Sequence, residues 1–222
     1  AVLAQVDMDA GRFAEAEPRL LLTLGGINVP PLRDDTALRA KLLSRHALAL
    51  LRLNRLDAAR RQSEAAMGEF AASESMSLEQ MQALSNLIPI RAEMGDIEGA
   101  LEISERLYQQ SQSRLGREHP FSLLQLSNSG ASLVRLQRYE EANALLRQVV
   151  ESRDRIMGPR HPLSLRARAN LAASLARAVQ DDAPSPARTI ALQEAVVLLR
   201  EVVAARIDLL GERHPDTLQS IA

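Results

Sequence analysis

An all-α fold of repeated antiparallel helix pairs is predicted by three observations. The first is composition: of the 222 residues, 37 are Leu and 34 Ala, against 11 Val, 9 Ile and 4 Thr. Leu and Ala are among the best helix formers, whereas strands favour β-branched and aromatic side chains, and aromatics make up only 2% here. The second is an echo between Leu115-Gly116-Arg117-Glu118-His119-Pro120-Phe121-Ser122-Leu123, Met157-Gly158-Pro159-Arg160-His161-Pro162-Leu163-Ser164-Leu165 and Leu210-Gly211-Glu212-Arg213-His214-Pro215-Asp216-Thr217-Leu218. Their glycines lie 42 and 53 residues apart. The third is a marker that ends in Ala16, Ala59, Ala100, Ala142 and Ala195, in steps of 43, 41, 42 and 53 residues. Two independent markers keep one register, so the chain is a repeat protein.

Each unit reads as a helix A, a turn and a helix B. Gly116, Gly158 and Gly211 follow apolar-periodic helices and supply a left-handed residue that ends them. The proline of each His-Pro suits a first helical turn, where its missing N–H costs nothing. Helix A of the fourth unit is predicted from about Pro120 to Leu136, and helix B from about Tyr139 to Ile156. In helix B, Tyr139, Ala142, Leu145, Leu146, Val149, Val150 and Ile156 show the spacing of one buried face. The recurrent Ala lets helices A and B approach closely. The repeats are placed at about 1–35, 36–76, 77–118, 119–160 and 161–213, with 214–222 starting a further helix, as a single domain.

These residues resemble the tetratricopeptide repeat. The 42-residue period and the Gly-x-x-His-Pro-x-Ser/Thr-Leu linker resemble its kinesin light chain subtype, a version shared by many bacterial proteins. The resemblance implies a right-handed α-α superhelix, or solenoid. It is strongest in the last two and a half units. In the first two, Gly25-Gly26 with Pro30-Pro31, and a polar Ser/Glu stretch between Met67 and Ser77, stand in place of the linker. Eleven extra residues fall around Val179 to Thr189 and include Asp181-Asp182, Pro184, Ser185 and Pro186. That is loop chemistry, read as a surface insertion between helix A and helix B in preference to a partner-binding loop.

Composition excludes several functions. With no Cys there is no disulfide, thiolate metal site or cysteine nucleophile, and either a reducing or an oxidising compartment is suitable. A cytoplasmic location is the expectation. No apolar run approaches the ~20 residues of a membrane helix. Twenty-seven basic residues balance 28 acidic ones, so a nucleic-acid backbone finds no bulk attraction. The basic residues are 26 Arg and one Lys, a skew that points to GC-rich, bacterial coding. No phosphate loop, His-Glu-x-x-His or Gly-x-Ser-x-Gly occurs. His119, His161 and His214 sit in successive linkers and read as helix caps rather than metal ligands, and His46 reads as a groove or packing residue. Glu140-Glu141 and Asp34-Asp35 read as solvated faces or helix starts. The segment is expected to have no catalytic residue, metal or cofactor.

A ligand is expected on the helix A face, where equivalent positions form columns. One column is Arg45, Asn86, Asn128 and Asn170; another is Arg52, Glu93, Arg135 and Arg177; upstream lie Lys41, Gln82, Leu124 and Arg166. Asn offers a donor and an acceptor to a peptide backbone, and Arg a fork for carboxylates. The resemblance adds that such proteins hold extended peptides in this groove and that the subtype has Asn there, at Asn86, Asn128 and Asn170. The candidate site is therefore Lys41, Arg45, Arg52, Asn86, Asn128, Arg135, Asn170 and Arg177, for a protein or peptide partner with an acidic tilt. Two alternatives stay open for these side chains: an Asn column that joins adjacent repeats, and an Arg column that offsets helix dipoles. Ala1 opens inside a helix A without Met, and neither end looks like a polar capping unit. The chain is accordingly read as an excerpt. Three functions follow: a non-catalytic interaction scaffold, the regulatory region of a larger signalling protein whose catalytic domain lies elsewhere, or a self-association module forming a homodimer through uncapped ends.

Overall fold

The computed structural model describes residues 2–27, 35–70, 76–180, 183 and 185–221. Among the described residues there are twelve helices and no strand: α1 (Val2–Asp9), α2 (Phe13–Gly26), α3 (Thr36–Arg52), α4 (Leu56–Phe70), α5 (Leu78–Ser85), α6 (Leu87–Glu93), α7 (Ile97–Leu115), α8 (Pro120–Arg135), α9 (Tyr139–Met157), α10 (Pro162–Ala178), α11 (Pro186–Leu210) and α12 (Pro215–Ile221). The fold is the expected all-α array of antiparallel helix pairs. It divides into two compact units, Ala1–Leu115 and Gly116–Ala222. Pro30-Pro31, Asp34, the stretch 71–75, Asp181-Asp182, Pro184 and both terminal residues lie outside the described residues.

In the first unit α1, α3 and the α5/α6 pair are A helices, and α2, α4 and α7 are B helices. Each B helix packs on its own A helix, and α2 and α4 also meet the next one. Ala4, Leu20, Ile27, Leu42 and Ala49 form one core cluster there. In the second unit each helix from α8 to α11 packs on its successor, and α8 also meets α10. Leu146, Leu171, Ala172, Leu175 and Ala195 form its core, with Leu165, Val202 and Ala205 beyond. The marker residues Ala16, Ala59, Ala100 and Ala142 are fully buried and Ala195 nearly so, as close A–B approach requires. At Gly130 the approach is closer still, since a methyl there would come within 2.8 Å of Leu146.

The turn between A and B is set by the main chain. Gly11, Asn54, Gly95 and Gln137 have φ of 71°, 58°, 85° and 59°. Each is followed by a residue whose N–H reaches five back: Arg12 to Asp7, Arg55 to Leu50, Asp96 to Arg91 and Arg138 to Leu133, at 2.8–3.0 Å. This is the Schellman closure, which satisfies carbonyls that the helix end leaves unpaired. The corners recur every 43, 41 and 42 residues. The next corner in register would be Val179, whose φ is −120°. A β-branched side chain opposes positive φ, so the closure is missing and the insertion begins there.

The insertion is shorter than expected. Ser185 caps α11 by accepting from the Arg188 N–H at 3.1 Å, and Pro186 takes the first helical position. Pro186–Ile190 are therefore helix, and the Ala191–Ala195 marker lies inside α11 rather than at its start. A second correction concerns α9, which closely matches its expected bounds. Ile156, assigned to the buried face, is 46% exposed, and Arg153 takes the buried position one turn after Val149.

Linkers follow the expected chemistry with one refinement. His119 and His161 cap α8 and α10, each Nδ1 accepting an N–H, from Phe121 and Leu163, at 3.2 Å. Gly158 and Gly211 have positive φ but ψ of 154° and 161°. They are therefore extended mirror-image residues open to glycine rather than left-handed helical ones. Pro89, not foreseen as a breaker, separates α5 from α6. It has no N–H for the Ser85 carbonyl, and its ring crowds that carbonyl, so the helix turns at Asn86. No helix among the described residues is long and apolar enough to cross a membrane.

Candidate functional site

Along α3, Lys41, Arg45 and Arg52 project at i, i+4 and i+11, which the helical repeat keeps near one face. That face opens on a cavity of about 350 Å³. Gln82, Ala83 and Asn86 of the next A helix close one side, and Gln5, Met8, Asp9 and Phe13 the other. Three cations thus meet one carboxylate, and Asp9 also accepts from the Gln5 amide at 2.5 Å. Arg52 is exposed and forms no ion pair among the described residues. Asn86 sits at the α5/α6 break, and its side chain has no hydrogen bond among the described residues.

The second unit is arranged otherwise. Asn170 and Arg166 of α10 line a cavity of about 500 Å³ together with Leu199 and Arg206 of α11 and Ser220 of α12. Asn128 turns its amide to the Gln125 side chain, 3.4 Å away on the same helix. Arg135 and Arg177 are exposed in the last turns of α8 and α10, where a cation meets the negative helix end. Neither of these two cavities includes Asn128, Arg135 or Arg177. Lys41, Arg45, Arg52 and Asn86 are thus brought together, and Asn170 is placed in a separate cavity.

Other polar residues have structural tasks. His46 is buried, with Nε2 3.3 Å from the Glu17 carboxylate, which also accepts from Arg55 at 3.2 Å. Glu141, in the first turn of α9, accepts twice from Arg138 at 2.7 Å, and that hydrogen bonding holds its carboxyl below the usual carboxylate range. Among the described residues no group of three or more His, Asp or Glu is arranged to hold a metal ion. The cavities offer cations, amides and aliphatic side chains, with the Asp9 carboxylate in the first. Sequence reasoning missed Arg153 and Arg206, both on B helices. For Arg153 the signal was present: Ala142, Leu146, Val149 and residue 153 keep one helical stripe, and its last member is basic.

Paired helices of this packing, closed at recurrent corners, define an α-solenoid repeat fold. The family model of the tetratricopeptide repeat matches residues 123–163 and 188–216, the part of the chain in which the linker residues carry the resemblance. No curated protein matches the chain. Among solved structures, a variant of the nearly identical TPR-like repeats assigned to a Podosopora anserina kinesin light chain is similar, with TM-score 0.75 and 22% identity over 93% of this chain and 92% of that one. BtubC (BKLC) from P. vanneervenii follows, with TM-score 0.71 and 15% identity over 94% and 80% of the two chains. YrrB, described as a TPR protein with an unusual peptide-binding site, has TM-score 0.55 and 15% identity over 98% and 88%. At these identities the likeness is one of fold.

Proposed function

We propose that the protein is a non-catalytic interaction module that holds an extended peptide or protein segment against its A helices. Lys41, Arg45, Arg52 and Asn86 make the principal contacts. One observation carries this reading: Lys41, Arg45 and Arg52 of one A helix and Asn86 of the next line a single cavity in the first unit. Its cationic excess favours an acidic segment, since Arg presents a fork that fits a carboxylate. The unusual peptide-binding site of YrrB supports the same use of the fold. Asn128, Arg135, Asn170 and Arg177 are proposed as contacts on the second unit taken by itself.

Arg45→Glu combined with Arg52→Glu tests the assignment in a titration with the captured partner. Reversing two contact charges is expected to cost about 3 kcal/mol, or roughly a hundredfold in affinity, with helicity unchanged. Arg135→Glu with Arg177→Glu should weaken capture less. Unchanged affinity in the first double variant would remove the cavity from the binding surface.

A second reading, self-association, is favoured by Val2, Leu3, Val6, Leu21 and Leu22, large apolar side chains exposed on α1 and α2. Light scattering over a concentration range tests it. A mass that stays monomeric at high concentration would reject it.

A further inference from the structure

With six Met and no Cys, thioethers are the only sulfur in the chain. Peroxides convert an accessible thioether to a sulfoxide, which replaces an apolar group by a strong dipole. The surroundings of each methionine decide which one meets an oxidant and what its oxidised form can do. Met76 and Met81 are buried in the core. Met67, Met94 and Met157 are half-buried but line neither the cavity of the first unit nor that of the second.

Met8 differs. It is half-buried on α1, packs against the core cluster of Ala4, Leu20, Leu42 and Ala49, and lines the 350 Å³ cavity. Part of its side chain thus meets aliphatic groups that offer no hydrogen bond. Another part meets the space lined by Lys41, Arg45 and Arg52. A sulfoxide oxygen carries partial negative charge and accepts hydrogen bonds. Burial against the core leaves it unpaired at a cost, whereas ammonium and guanidinium groups donate to it. The oxygen therefore favours the cavity, and with it the donors assigned to an acidic partner.

We propose that Met8 is an oxidation site through which a peroxide weakens binding in this cavity. With hydrogen peroxide the thioether sulfur attacks one oxygen, so that an S–O bond forms as the O–O bond breaks. The departing hydroxide takes the proton of the transferred OH and leaves as water. Sulfur loses two electrons and the peroxide gains them. The sulfoxide oxygen then accepts from the cations of the cavity and competes with a partner's carboxylate. This regulation rests on the cavity being the binding surface, yet the oxidation and its effect on the cavity are read without a partner.

The full chain is treated with limiting hydrogen peroxide, and peptide mass spectrometry follows the gain of one oxygen at each methionine. Met8 is expected to be oxidised well ahead of Met76 and Met81. ¹⁵N NMR of the arginine Nε–H groups reports on the cavity. The Arg45 or Arg52 signal should shift when the wild type is oxidised and stay in place in Met8→Leu, a swap that keeps volume and removes sulfur. The binding probe is acetyl-Glu-Asp-Leu-Glu-Asp-amide. Its affinity should fall about tenfold on oxidation, the usual effect of losing one hydrogen bond to a charged group. Methionine sulfoxide reductase with dithiothreitol should restore it. Oxidation of Met8 no faster than that of Met81 would overturn the proposal. So would arginine shifts that persist in peroxide-treated Met8→Leu, or an oxidised Met8 that leaves both arginine signals unmoved. A probe that fails to bind the unoxidised chain counts against the cavity as a binding surface, and the arginine signals then decide on Met8 alone.

Discussion

The two units share one repeat register yet offer unlike cavities. In the first, α1, α3 and α5/α6 supply nearly all the lining, so the cavity is a groove across successive A helices. In the second, Leu199 and Arg206 enter from a B helix, and the cavity is a cleft between α10, α11 and α12. The difference comes from two local breaks in the repeat rule. Pro89 interrupts an A helix in the first unit, and Asn86, at the break, lines the cavity with Gln82. Val179 fails as a corner in the second, and α11 runs for 25 residues. Small departures from the repeat thus accompany the different linings of the two cavities.

The largest effect expected on this contrast is that of Leu146→Ala. It empties a core position in the second unit at a cost of about 3 kcal/mol, read by urea unfolding. Shifts in the amide spectrum should reach Asn170 and spare Asn86. Equal disturbance of both would show that the cavities do not form separately. Next comes Pro89→Ala, which restores an N–H to the helix and should raise stability by about 1–2 kcal/mol, less than the full penalty of a mid-helix proline because the chain has adapted to it. Partner affinity should fall as Asn86 turns away; affinity that stays level would show that the break does not shape the groove. Smallest is Gln137→Gly, expected to gain about 0.5–1 kcal/mol in thermal melts by relieving positive φ, net of added chain entropy.

Local chemistry made the repeat pairs legible. Leu and Ala content and the His-Pro starts report constraints within one helix or turn, and the buried Ala markers report the contact of a helix with its own partner. The α8 and α9 bounds consequently match the structure within a residue. Legibility faded where a distant or competing preference won. The Ala191–Ala195 marker promised a turn, but Ser185 and Pro186 offered a stronger helix start upstream. Ile156 fits an apolar period, yet the burial of Arg153 beneath Leu163 depends on how α10 lies over α9. Of the candidate residues, those on α3 came together because one helix holds them in register. Asn128 donates to Gln125 on its own helix, 3.4 Å away, a contact that spacing between repeats does not reveal.

The recurrent corners at Gly11, Asn54, Gly95 and Gln137 have a wider consequence. Each is shut by peptide groups and one torsion angle, so the bend between paired rods draws little on the side chains that face a visitor. Those side chains can be exchanged with small risk to folding, and such a protein can acquire new acquaintances while its scaffold stays as it was.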